Sequence, residues 1–95
     1  MSVVATRYAH IVEDERGVPL IAGTTMKVIE LVTAQRAYGW SPDEVSFQFP
    51  HLSLGQIHSA LAYYWDHREA LDADIARRLA AVEDQQRRMP SPTLH

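Results

Sequence analysis

The chain has 95 residues, of which 46% are hydrophobic and 22% charged, with no cysteine and a net charge of −3 at pH 7. These values are typical of one small globular domain and exclude a disordered or collagen-like chain, a disulfide framework and a thiolate metal site. No apolar stretch approaches the ~18 residues of a membrane-spanning helix. The start MSVVATRYAH lacks the basic and apolar regions of a signal peptide, so we expect a cytoplasmic protein.

The N-terminal part predicts a β-hairpin. Residues 8–12 and 18–21 are short apolar runs, joined by a polar segment that ends at Gly17. Pro19 makes the second run an edge strand, because proline lacks the N–H that a central strand donates. An isolated hairpin is marginally stable, so it must pack on the rest of the chain or pair with a second copy. We therefore predict a homodimer, or a higher homo-oligomer, through Tyr8, His10 and Val12.

Three helix starts follow the hairpin. Apolar residues at helical spacing predict a first helix over residues 27–38, which Gly39 ends. Ser41 and Glu44 form a capping box around Pro42, and Pro50 keeps that second helix short. A second capping box, at residues 53–56, begins a third helix.

Glycine and proline are absent between Gln56 and Met89, so the third helical segment has no sequence signal to end before Arg88. Unbroken, it would be roughly 50 Å long, several times the ~13 Å radius of gyration of a compact domain of this size. It must therefore break near Asp66-His67 or project beyond the domain. A stripe at spacings of three and four, apolar except for Arg68, runs along this segment and consists of Leu61, Tyr64, Arg68, Leu71, Ile75, Leu79 and Val82.

This layout predicts a mainly α fold, with a three-helix helix-turn-helix domain, an N-terminal β-hairpin and a long C-terminal helix. The expected division is a hairpin and linker at 1–26, a helix-turn-helix at 27–68, and a partner-binding helix and tail at 69–95. The start of a recognition helix reads base edges in the major groove. The candidate DNA-binding residues here are Ser53, Gln56, His58 and Ser59.

A generic packing unit explains the same layout. Helix-turn-helix geometry also occurs in proteins that do not bind DNA, and the sequence has no lysine or arginine between Arg36 and Arg68. An acidic chain would bind DNA only through a local positive patch, a dimer or a partner. The alternative function is a helical oligomerisation or scaffold module that never contacts DNA.

Several segments together resemble a known family. Residues 17–28 (GVPLIAGTTMKV) are similar to its "G-x-P-x-I-x-G-T-R-I-x-V" pattern. Residues 39–45 (GWSPDEV), 49–57 (FPHLSLGQI) and 60–64 (ALAYY) resemble the segments that follow in the family. It is the domain of unknown function 433 family, which includes VapB-like antitoxins with a homeodomain-like helix-turn-helix fold. Thr25 departs from the pattern, because the family commonly has arginine there.

The resemblance implies an antitoxin that blocks a PIN-like ribonuclease toxin and represses their shared operon by binding operator DNA. An amphipathic C-terminal helix could provide the toxin contact. Its candidate toxin-binding residues are Leu71, Ile75, Leu79, Val82, Arg87 and Arg88. The arginines could equally form a solvated face, with helix-stabilising pairs such as Asp74–Arg78 and Glu83–Arg87.

The remaining chemistry-bearing residues favour neither a metal site nor an enzyme. The five histidines include no i,i+4 pair, and the sequence has no nucleophile elbow or phosphate loop. We therefore expect no cofactor, no metal and no catalysis. The run Tyr63-Tyr64-Trp65 points in three directions on a helix, so at least one of these rings should be exposed.

Overall fold

A small antiparallel sheet precedes four helices in the computed structural model, which describes residues 3–88. The strands are β1 (Val4–Ala5), β2 (Ile11–Glu13) and β3 (Pro19–Ile21). The helices are α1 (Val28–Tyr38), α2 (Pro42–Gln48), α3 (Leu54–Asp66) and α4 (Arg68–Arg88). The predicted mainly helical class is confirmed, and the C-terminal tail predicted after α4 lies outside the described residues.

The sheet has three strands rather than the two of the predicted hairpin. Its order is β1-β2-β3, with Ile11 opposite Ile21 and Glu13 opposite Pro19. Pro19 therefore lies on an edge strand, as its missing N–H requires. The additional strand β1 pairs with the other side of β2, with Ala5 opposite Val12.

The segment before β2 is a turn, and not the strand predicted over residues 8–12. His10 has a φ of 67°, a left-handed conformation that a strand cannot contain. The Thr6 hydroxyl donates to the Ile11 carbonyl at 2.7 Å and accepts from the Tyr8 N–H at 3.1 Å, which closes the turn.

Both predicted capping boxes are present. The Ser41 hydroxyl accepts from the Glu44 N–H, and the Glu44 carboxylate accepts from the Ser41 N–H at 2.8 Å. Ser53 and Gln56 make the same reciprocal pair at 3.1 and 2.7 Å. These bonds satisfy backbone donors that a helix start leaves without intrahelical partners.

The long helical segment breaks at His67, one of the two outcomes that its length allowed. The His67 N–H donates to the carbonyls of Tyr63 and Tyr64 at 3.0 and 3.1 Å, which ends α3. The His67 ring also contacts the Tyr63 carbonyl through Nδ1 at 2.8 Å. Because a carbonyl only accepts, Nδ1 carries the proton in this contact.

One hydrophobic core joins the sheet to all four helices. It consists of Ile11, Ile21, Val28, Ile29, Leu31, Val32, Val45, Leu52, Ile57, Ala60, Tyr63, Tyr64 and Leu71. Tyr63 and Tyr64 are buried whereas Trp65 is 61% exposed, which confirms the prediction that at least one ring of this run is exposed. The overall dimensions are 49 × 30 × 26 Å. Over residues 3–88, no helix is both long and apolar enough to span a membrane.

Candidate functional site

The start of α4 is anchored to the body of the fold. Leu71 is only 7% exposed and belongs to the core. Asp72 accepts hydrogen bonds from the Tyr64 hydroxyl at 2.7 Å and from the Arg36 guanidinium at 3.0 Å. Arg36 also donates to the Tyr64 hydroxyl at 3.0 Å, which closes a triangle linking α1, α3 and α4. These contacts set the direction in which α4 leaves the core.

This triangle makes the docking of α4 sensitive to acid. The hydrogen bond from Tyr64, together with Arg36, holds the pKa of Asp72 below its ordinary value. A carboxyl whose pKa is lower in the folded chain stabilises the fold above its unfolded pKa of about 4. That contribution is lost as pH falls through the folded pKa.

We therefore expect Asp72→Asn to lower the urea midpoint near neutral pH and to flatten the loss of stability between about pH 5 and pH 2. The measurement is urea unfolding followed by circular dichroism across that range. Glu15→Gln, which removes an exposed turn carboxylate, is the matched control. An Asp72→Asn curve that parallels the wild type at every pH would contradict the role of the triangle.

The outer part of α4 leaves the body with its apolar side chains uncovered. Leu79 is 58% and Val82 50% exposed, and Ile75 is half-buried. Leu71, in contrast, is corrected as a candidate toxin contact, because it is buried in the chain's own core. The sequence did not indicate that Leu71 is buried, because the burial of this residue depends on how α4 packs against α1 and α3.

The arginines of α4 form exposed ion pairs within the helix. Arg77 and Arg78 both contact Asp74, at 3.2 and 3.4 Å. Arg87 and Arg88 both contact Asp84, at 3.7 and 3.1 Å. The expected Asp74–Arg78 pair is present, whereas Arg87 pairs with Asp84 instead of Glu83. Exposed pairs of this kind contribute about 0–1 kcal/mol, so a partner's carboxylate could replace them at little cost.

A groove of about 560 Å³ lies between α1 and α4. Its α4 wall includes three stripe residues, Ile75, Leu79 and Val82. Its α1 wall includes Ile29, Ala34, Ala37 and Tyr38. This second wall was not predicted from the sequence, because the apolar spacing over residues 27–38 indicated a helix but not which of its faces a neighbouring helix would leave open. The sequence feature that could have indicated this wall is the pair of small residues Thr33 and Ala37, which lie on α1 beside Ile29 and Val32.

The start of α3, where DNA contacts were predicted, is largely engaged within the chain. Ser53 and Gln56 form the capping box, and Gln56 Nε2 also donates to the Ala22 carbonyl at 3.3 Å. A Cβ atom placed at Gly55 would stand 3.5 Å from Nε2 of His10. Gly55 therefore lies beside the chain's own turn at His10.

His58 and the half-buried Ser59 are the predicted DNA contacts outside this capping box. His58 is exposed, as are Leu54, Ala62 and Trp65 on the same side of α3. The outward face of α3 therefore carries apolar and aromatic side chains with one histidine, and no lysine or arginine.

Two of the three predicted dimerisation residues, Tyr8 and Val12, make contacts within the fold, whereas His10 is exposed on the turn before β2. Val12 is in the central strand and pairs on both sides, with Ala5 and with Leu20. The Tyr8 hydroxyl donates to Asp66 at 2.7 Å, and its ring packs 5.0 Å from that of Tyr63. The free-edge argument for a dimer through residues 8–12 is therefore corrected, because β1 covers that edge.

Groups of three or more His, Asp or Glu side chains able to hold a metal ion are not found within the described residues. The class of molecule defined by these observations is a small, mainly helical protein with a three-stranded sheet and an open apolar groove beside its last helix.

The chain belongs to the family described as protein of unknown function (DUF433), whose model matches residues 15–64, just over half of the chain. The match covers β3, α1, α2 and most of α3, and it ends before α4 begins. No curated protein and no solved structure matches the chain.

Proposed function

We propose that this chain is the antitoxin of a type II toxin–antitoxin pair, which neutralises a PIN-like ribonuclease toxin through α4. The observation that carries the proposal is the apolar surface of α4 beyond its anchor, where Leu79 is 58% and Val82 50% exposed. An amphipathic helix with one uncovered apolar face is a common element of helix-in-groove recognition. Arg87 and Arg88 at its end suit the acidic metal site of a nuclease.

The second part of the proposal is autoregulation by DNA binding through a homeodomain-like helix-turn-helix made of α2 and α3. The short link between these two capped helices and the exposed His58 support it. The engaged side chain of Gln56 narrows the candidate base-reading residues to His58 and Ser59.

DNA binding is tested by fluorescence anisotropy on the chain's own promoter DNA at several salt concentrations. We expect log affinity to fall linearly with log salt, because each neutralised phosphate releases counterions. His58→Ala should weaken specific binding about tenfold, at the low end of the ~1–3 kcal/mol of a base contact. The control is Gln85→Ala, an exposed α4 position, which should bind as the wild type does.

A helical oligomerisation module that does not bind DNA is the second candidate function. It is favoured by the absence of lysine and arginine on the outward face of α3 and by the net charge of −3. Anisotropy that stays flat at low salt, with or without the toxin, would reject the DNA-binding part and favour this candidate.

A further inference from the structure

The groove between α1 and α4 is an open apolar surface in the single chain. Tyr38 on its α1 wall is 69% exposed, and Leu79 on its α4 wall is 58% exposed. Burying these apolar side chains against a partner would lower the free energy, because it removes apolar surface from water.

We propose that α4 of a second copy of this chain fills the groove, in a two-fold symmetric dimer. Asp72 near the start of α4 contacts Arg36 near the end of α1, so α4 runs back along α1. With 21 residues against 11, α4 extends past the start of α1 by about two turns. The stripe residues Ile75, Leu79 and Val82 lie on the part of α4 that runs beside α1, where the small side chains of Ala34 and Ala37 leave room for a further helix.

In a two-fold dimer, the same surface of each copy forms the interface. This suits the groove, because the α4 helix that forms one of its walls is also the helix that fills the groove of the other copy. Each α4 packs between α1 and α4 of the other copy, and the two helix pairs form a four-helix arrangement. Such bundles bury apolar stripes like Ile75, Leu79 and Val82 at their centre.

The charges of the groove favour a second copy as the occupant. Among its described lining residues two are charged, Glu30 and Arg78, and their signs are opposite. A two-fold contact pairs Glu30 of each copy with Arg78 of the other, giving two such pairs in each dimer. To form the pair with Glu30, Arg78 gives up its exposed ion pair with Asp74, and the loss of that pair costs little free energy.

This dimer does not depend on the proposed antitoxin activity, but it uses the same stripe on α4. Leu79 and Val82 cannot contact a toxin and a second copy together. Self-association and toxin capture therefore compete, and a toxin in excess should convert the dimer into a complex with one copy of this chain.

A charge-exchange experiment tests the dimer. The masses of the wild type, of Glu30→Arg, of Arg78→Glu and of their equimolar mixture are measured by sedimentation equilibrium from micromolar to millimolar concentration. Each variant alone places like charges at both pairs, so we expect its dissociation constant to rise about tenfold or more. In the mixture, a heterodimer restores both opposite-charge pairs and should regain wild-type affinity.

Matched charge reversals outside the groove, Glu69→Arg and Arg77→Glu, should dimerise as the wild type does, alone and mixed. Leu79→Glu should remain folded by circular dichroism and be monomeric. A wild type that is monomeric throughout, a mixture that is not rescued, or a Leu79→Glu dimer would each overturn the proposal. A monomeric wild type that still inhibits a toxin would overturn the dimer alone and leave the antitoxin function standing.

Discussion

Replacing both Leu79 and Val82 by glutamate is expected to abolish inhibition of the proposed PIN-like toxin while leaving the fold intact. Both side chains are at least half exposed in the free chain, so the change removes no core contact. In a complex, each loses about 1.5–3 kcal/mol of burial and adds a charge to be desolvated. The affinity for the toxin should fall about 100-fold or more. Isothermal titration and a ribonuclease assay measure the two effects.

The control for this pair is Ala73→Glu with Ala80→Glu. It adds the same two charges to exposed positions of α4 on the side away from the stripe, and it should inhibit as the wild type does. Full inhibition by the Leu79/Val82 variant would show that the toxin is bound elsewhere, whereas equal loss in both variants would indicate a nonspecific charge effect.

The second large effect is expected in the core. Ile57 is fully buried in α3, within the core that joins the sheet to the helices. Ile57→Ala should lower the free energy of unfolding by about 2–5 kcal/mol, through lost transfer energy and the cavity left behind. That is a large share of the ~5–15 kcal/mol total typical of proteins. Urea unfolding followed by circular dichroism and by tryptophan fluorescence measures it.

Leu54→Ala is the matched control, because Leu54 lies in the same helix but is 43% exposed. Its cost should stay within about 0.5 kcal/mol, as for surface substitutions generally. Similar losses for the two variants would contradict the assignment of Ile57 to the core and of Leu54 to the surface. Separate transitions by the two probes would contradict a single cooperative core.

The helix starts and ends were predictable because their signals are local. Ser41 with Glu44 and Ser53 with Gln56 satisfy backbone donors three residues away, whatever the rest of the chain does. The length of the helical segment from residue 54 to residue 88 likewise required either a break or an end that projects beyond the domain, and the helix breaks at His67. The exposed ring in Tyr63-Tyr64-Trp65 followed from helical geometry alone.

Contacts between distant residues were not predictable in the same way. The pairing of the two-residue strand β1 with β2, and the left-handed turn at His10, depend on partners that no local pattern identifies. The bond from Gln56 to Ala22 spans 34 positions, and the Tyr64–Arg36 bond spans 28. These contacts engage side chains within the chain in two regions that were predicted to bind partners, the turn before β2 and the start of α3.

The triangle of Arg36, Tyr64 and Asp72 connects these observations to the proposed function. It fixes how α4 leaves the core, and the direction of α4 determines whether Leu79 and Val82 face α1 or solvent. Loosening the triangle should therefore weaken partner binding without any change in the contacting side chains.

The most direct test of α4 as a partner-binding surface is the mass of this chain mixed with the PIN-like nuclease proposed as its partner, measured by light scattering after gel filtration. We predict a stable complex of the two chains for the wild type, and separate elution for the Leu79→Glu, Val82→Glu variant. Separate elution of the wild type and the nuclease, or an equally stable complex with the variant, would contradict the role of α4 as the toxin-binding helix.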